Sequence, residues 1–190
     1  MADLIGHNGG PTMEGGTSWR AHCWRTARAG LLPVLPVEVV RLRVKRAAEL
    51  GLDYRTYAGV RATTGRDLVA FLFSSNALAL TAAHPVLTPD RAGRLEQITA
   101  CRRMALANPP LTPETVRSAV WMIDAAHAAP ALLAPEREIR ARLRAALGPL
   151  PADGVLLIGD HGLERDWCAA GRLAGYLPAD RFFATTAPAL

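Results

Sequence analysis

Hydrophobic residues along this chain fall into two kinds of pattern. Two short stretches are apolar without interruption: Leu68-Val69-Ala70-Phe71-Leu72-Phe73, introduced by Asp67, and Val155-Leu156-Leu157-Ile158. A half-exposed strand alternates apolar and polar positions, so an unbroken run predicts a strand covered on both faces. The first run ends in Ser74-Ser75-Asn76 and the second in Gly159-Asp160-His161. Elsewhere the spacing is three to four, as on a helix. Val37, Val40, Val44, Ala47 and Ala48 make one stripe, with Pro36 at its start and Gly51 as its stop. Thr88-Pro89-Asp90 and Thr112-Pro113-Glu114 each offer a Thr cap, Pro at the first helical position and an acid facing the positive helix end. Leu95, Ile98 and Ala105 follow the first start, and Val116, Val120 and Ile123 the second. With Asn108-Pro109-Pro110 as a turn, they predict a helical hairpin. Further helices are expected over Trp19–Ala29, over Pro135–Leu147, and around Cys168, Leu173 and Ala174, the last ended by Tyr176-Leu177-Pro178. Phe182-Phe183 is expected to dock on the body.

The elements add up to an α/β fold: a small sheet with at least two buried parallel strands, about 67–73 and 155–159, packed by six or so helices. Residues 1–18 read as a flexible Gly-rich N-terminal arm and 19–190 as a single α/β domain. At 190 residues, roughly 70% of the unfolded surface can be buried, so no disulfide or metal staple is required. The longest apolar run is far short of the ~18 residues of a membrane span. The N-terminus lacks the basic-then-apolar order of a signal peptide. Cys23, Cys101 and Cys168 are far apart, with no C-x-x-C, which suits reduced thiols better than a disulfide framework or a zinc site. The expectation is a cytoplasmic protein with no membrane partner. Within the arm, Ile5-Gly6-His7-Asn8-Gly9-Gly10-Pro11 resembles a short leader found on assorted bacterial proteins of unassigned function.

Charge changes the picture toward a ligand. There are 22 basic and 17 acidic residues, a net charge of +5, and Lys45 is the only lysine. Guanidinium forks grip phosphate oxygens in pairs, so arginine dominance points to nucleic acid or a nucleotide. Some of that charge is neutralised locally: Glu136–Arg140 and Glu138–Arg142 are i,i+4 pairs, worth ~0.2–0.5 kcal/mol each.

Candidate chemistry lies at the strand ends, because open α/β sheets bind ligands beyond the carboxyl ends of their strands. If the two apolar strands are parallel neighbours, Ser74, Ser75 and Asn76 meet Asp160 and His161 in one crevice. An anion would suit the serine side. Asp160 and Ser74 are the candidate catalytic groups, with Ser75, Asn76 and His161 as ligand contacts. Glu164 reads as a first-turn acid opposing the helix dipole, and Asp160, His161, Glu164 and Asp166 as possible metal ligands. Locally, Phe71-Leu72-Phe73-Ser74 and Leu157-Ile158-Gly159-Asp160, with Asp166 downstream, resemble the second and fourth motifs of the haloacid-dehalogenase-type phosphatases. The resemblance implies a crevice at the strand ends. No D-x-D nucleophile precedes the first strand, and Lys45 lies upstream of both strands rather than between them. The crevice carries over; the reaction does not. No G-x-S-x-G elbow and no phosphate-cradling glycine motif is present.

Residues 44–61 have two readings. Ala47, Leu50, Gly51, Leu52, Tyr57 and Val60 sit as in a helix-turn-helix, with Asp53 capping a second helix that exposes Arg55, Thr56 and Arg61 to a major groove. The rival is a β-hairpin of Tyr57–Ala62, a turn at 63–66 and the strand 67–73, favoured by the Tyr, Thr and Val content. The leading expectation for function is binding of a phosphate-bearing ligand, nucleic acid or nucleotide, without strong catalysis. The alternatives are a degenerate phosphatase-like hydrolase or transferase using the crevice, and a protein-interaction subunit presenting Trp19, Trp24, Trp121 and Phe182-Phe183.

Overall fold

In the computed structural model the chain divides into two compact units, residues 1–40 and 41–190. The structure describes Cys23 and residues 35–184. The 1–18 arm, the Trp19–Ala29 helix (apart from Cys23, which is helical and exposed), Trp19 and Trp24 lie outside the described residues. Among those described are helices α1 (Val37–Glu49), α2 (Tyr54–Thr64), α3 (Pro89–Glu96), α4 (Pro113–Ala119), α5 (Glu136–Leu147), α6 (Glu164–Gly171) and α7 (Ala179–Ala184). The strands are β1 (Ala70–Ser74), β2 (Arg102–Ala107), β3 (Ala125–Ala128), β4 (Val155–Gly159) and β5 (Gly175–Pro178). No described helix is long and apolar enough to cross a membrane.

All strand pairs are parallel, in the order β3-β2-β1-β4-β5. The chain moves outward from β1 through β2 to β3, then returns to the far side of β1 for β4 and β5. The order therefore reverses between β1 and β4, the place where doubly wound sheets open a crevice. The two strands expected from the apolar runs are these neighbours, with Phe73 opposite Ile158.

Alternate side chains of β1 explain its unbroken hydrophobicity. Phe71 and Phe73 enter a core with Ala47, Tyr57, Leu95, Val116 and Phe182, from α1 to α4 and α7. Ala70 and Leu72 face the opposite core, with Ile139 and Leu143 of α5 and Trp167 of α6. Phe71 and Phe73 each hold the Phe182 ring at a centroid distance of 5.6 Å, so the expected docking of Phe182-Phe183 takes place on β1.

Three expectations are corrected. The helical hairpin does not form: Arg102–Ala107 is strand β2, and Ala105 lies in the sheet beside Phe73. Met, Ala and Leu are strong helix formers, but Met104–Ala107 is buried on both faces and its ladder partners override propensity. The chain instead runs β2, α4, β3, and α4 ends at Ala119. Tyr176-Leu177-Pro178 is not a helix end but edge strand β5. The hairpin at 57–73 is replaced by helix α2. Asp53 accepts the Thr56 N–H at 2.9 Å, and Gly65, at φ 72°, stops the helix. The Thr63 and Thr64 hydroxyls donate to the carbonyls of Gly59 and Val60, so their polar groups are met within the helix that the cap and stop define.

The helix pair α1–α2 is bolted to the sheet by Asp67. Tyr57 Oη donates to it at 2.7 Å and Arg46 Nε at 3.0 Å, while Arg61 lies 3.8 Å away. Arg46 also donates to the carbonyls of Leu68 and Ala100. An arginine stands where a helix-turn-helix wants an apolar residue because here it ties α1 to the start of β1.

Candidate functional site

The crevice at the carboxyl ends of β1 and β4 is built around one carboxylate. Ser74 closes β1 fully buried, and the backbone turns back over 75–79 rather than starting a helix. Its hydroxyl accepts the Ala77 N–H at 3.0 Å and donates to Glu164 Oε2 at 2.9 Å. Asn76 Nδ2 donates to Glu164 Oε1 at 2.9 Å, and Asn108 Nδ2, just past β2, donates to the same atom at 3.2 Å. The backbone N–H groups of Asp160 and His161 donate to Oε2 at 2.9 and 3.3 Å. Ser75, also buried, accepts the Asn108 N–H at 3.0 Å and fastens β1 to β2.

Glu164 therefore has no exposed surface and receives five hydrogen bonds, none from a cation. A buried carboxylate is tolerated only when its lone pairs are met. Here donors from three strand ends meet them. The site expected to hold an anion does hold one, and it belongs to the chain itself. Gly159 makes this possible: a Cβ there would lie 2.6 Å from Glu164 Oε2 and 2.5 Å from the Tyr176 ring. The Gly-Asp pair at the end of β4 thus serves close packing of a carboxylate on backbone.

Asp160 and His161 are exposed at the mouth. The Asp160 carboxylate has no partner among the described residues, whereas His161 Nδ1 accepts the Leu163 N–H at 3.2 Å. With Asn76, Ala79, Leu80 and Thr81 they line an open hollow of about 370 Å³. Asp166 faces away from the crevice and is exposed. Among the described residues no three His, Cys, Asp or Glu side chains are placed to hold a metal ion together. The structure thus brings Ser74, Ser75, Asn76, Asp160 and His161 to one place. Asn108 and the inward turn of Glu164 were missed. A Glu four residues after a strand-ending Gly-Asp pair was the available signal; Asn108 carried none.

The residues expected to meet nucleic acid behave differently from one another. Arg55 is exposed and its side chain has no partner among the described residues. Thr56 is bound to its cap, its hydroxyl 2.5 Å from Asp53, and Arg61 is held toward Asp67. Burial would raise the Asp67 carboxyl, but the Tyr57 hydroxyl and the Arg46 guanidinium outweigh it and hold the group below its ordinary value. Burial pushes the Cys101 thiol up to about 12 and raises that of Cys168 as well, away from the thiolate form that reacts.

Fold and site together describe a doubly wound parallel α/β protein whose switch-point crevice is closed by an internal carboxylate. Comparison with protein-family models, curated proteins and solved structures returns no match.

Proposed function

We propose that the protein binds a phosphate-bearing ligand, nucleic acid or nucleotide, without strong catalytic activity. The observation that carries this reading is a surplus of exposed guanidiniums without acidic partners. Residues 41–190 carry 19 basic and 14 acidic residues. The ion pairs among the described residues engage Arg46, Arg61, Arg66, Arg140 and Arg142. The exposed Arg41, Lys45, Arg55, Arg102, Arg144 and Arg172 have no such partner. Cations left free in this way draw polyanions and steer their approach.

The test is binding of short single-stranded DNA and RNA by fluorescence anisotropy as a function of salt. Charge-driven binding should weaken steeply between ~50 and ~200 mM salt, with a log–log slope of roughly −0.7 per neutralised phosphate on single strands. Arg55→Ala should lower affinity with little change in sequence preference if contacts are to phosphate. Salt-independent binding of these probes, or none of them and no nucleotide at ~50 mM salt, would end the reading.

A second reading, a hydrolase or transferase using the crevice, is favoured by Ser74 Oγ lying 2.9 Å from Glu164, a distance suited to a nucleophile and its base. Against it, the hydroxyl is fully buried and already donates and accepts. Turnover of a generic phosphate ester lost in both Ser74→Ala and Asp160→Asn, with folding intact, would favour it. A protein-interaction role has the exposed Trp121 in its favour.

A further inference from the structure

We infer that the groove between the ends of α5 and α6 is a binding site for the phosphate groups of a nucleotide-sized ligand. The inference rests on the phosphate-ligand reading and supplies its seat. Here a cavity of about 530 Å³ is lined by Arg140, Arg144 and Arg172, with Leu147, Leu150 and Ala152 among the apolar walls, and no acidic residue lines it. Its size lies in the range of small-molecule sites, ~300–1,000 Å³. Ala152 precedes β4 and Arg172 precedes β5, so the groove opens at the amino edge of the sheet, opposite the crevice of Glu164.

The three arginines are not equivalent. Arg140 is fixed: its guanidinium pairs with Glu136, and Nε donates to the Ala170 carbonyl at 3.2 Å. Arg144 and Arg172 are exposed and have neither an ion pair nor a side-chain hydrogen bond among the described residues. Basic groups near helix C-termini offset the negative dipole end, and two helices finish at this groove. Each end amounts to about half a charge, so two free guanidiniums leave a cationic surplus for a ligand.

Arg172 is also held in a conformation where glycine is the ordinary choice, with φ 53° and ψ 42° as the cap of α6. Its backbone N–H serves the cap, and glycine would serve it equally. Strain retained at an exposed side chain is the kind of outlier that points to a use for that side chain. Two forks facing one apolar-walled hollow suit a diphosphate with a ribose or base against Leu147 and Leu150.

The test uses the full chain and isothermal titration with ADP, GDP and inorganic pyrophosphate at ~50 mM salt. Arg144→Ala and Arg172→Gly should each weaken binding by roughly tenfold, as loss of one charge-assisted contact requires. Arg142→Ala, on the same helix but paired with Glu138, should change it less than twofold. Arg172→Gly relieves backbone strain, and an unfolding midpoint at or above that of wild type, measured on the same sample, separates its loss of binding from misfolding. Wild-type binding undiminished in both variants would overturn this site while leaving the broader reading standing. Failure of wild type to bind these three probes while binding oligonucleotides would likewise overturn the nucleotide seat alone. Failure to bind probes of either kind would overturn both.

Discussion

The two edges of the same sheet treat their polar groups in opposite ways. At the carboxyl edge, Ser74, Asn76, Asn108 and two backbone N–H groups all converge on Glu164, and the carboxylate is sealed from water. At the amino edge, Arg144 and Arg172 face an open cavity with no acid to meet them. Topology alone would place a ligand at the first edge, since the strand order reverses there. The uncompensated charge lies at the second, which is where the proposal above seats an anionic one. A switch point defines where a crevice can open; which groups are left unspent decides what it can hold.

The largest effect that would break this contrast is at Glu164. Glu164→Ala leaves five donors without their acceptor, the Ser74 hydroxyl fully buried and the other four partly so. Each unmet buried group costs ~1–3 kcal/mol, and the sum is not additive, so a loss of roughly 3–4 kcal/mol is expected. Arg144→Ala should stay within ~0.5 kcal/mol, as for surface positions without such ties. Urea unfolding of both variants measures this directly. A Glu164→Ala cost below ~1 kcal/mol would mean that the network is not what closes the carboxyl edge.

The second effect sharpens the picture at the amino edge, where not every arginine is free. Arg46 is spent on Asp67, together with the Tyr57 hydroxyl. The Asp67 carboxyl is held below its ordinary value, so its stabilisation is present above the unfolded pKa of ~3.9 and is lost as pH falls through the lower folded value. Stability should therefore decline from about pH 4 downward, and Asp67→Asn should flatten that part of the profile. At neutral pH the substitution should cost about 1 kcal/mol, at the low end because the side chain is 39% exposed and screened by water. An unchanged acid limb in Asp67→Asn would assign the loss to other carboxylates.

How much of this could be read beforehand follows from what each segment is packed against. β1 and β4 were legible because they are buried on both faces and contain the residues that strands favour. β2 and β3 were not: Met104-Ala105-Leu106-Ala107 and Ala125-Ala126-His127-Ala128 consist mostly of helix formers, and their strand state is imposed by neighbours on the ladder. The Asp53 cap was visible, yet it was outweighed by the Tyr and Thr content of 54–64, whose side chains turn out to bond Asp67 and local carbonyls. At the crevice, the strand ends were identified and their partner was not, since Glu164 acts through tertiary contacts with residues 88 and 90 positions away. The arginine groove was invisible because Arg144 and Arg172 meet only after α5 and α6 have docked.

The smallest expected effect is the most discriminating one. Arg172 occupies the left-handed region, where a Cβ crowds the following carbonyl at a cost of ~1–2 kcal/mol. Glycine removes that crowding but adds freedom to the unfolded chain, worth about 0.5–1 kcal/mol. The difference predicts that Arg172→Gly is neutral or more stable by up to ~1.5 kcal/mol, a small rise in unfolding midpoint with an unchanged denaturant slope. The neighbouring cap bonds to Ala169 and Cys168 come from the backbone and survive the change. A rise would show that the chain carries an arginine here at the expense of stability, as expected if the guanidinium acts on something outside the fold. A loss beyond ~1 kcal/mol would show instead that the arginine stem packs for stability, and the amino edge would then be as self-contained as the carboxyl edge.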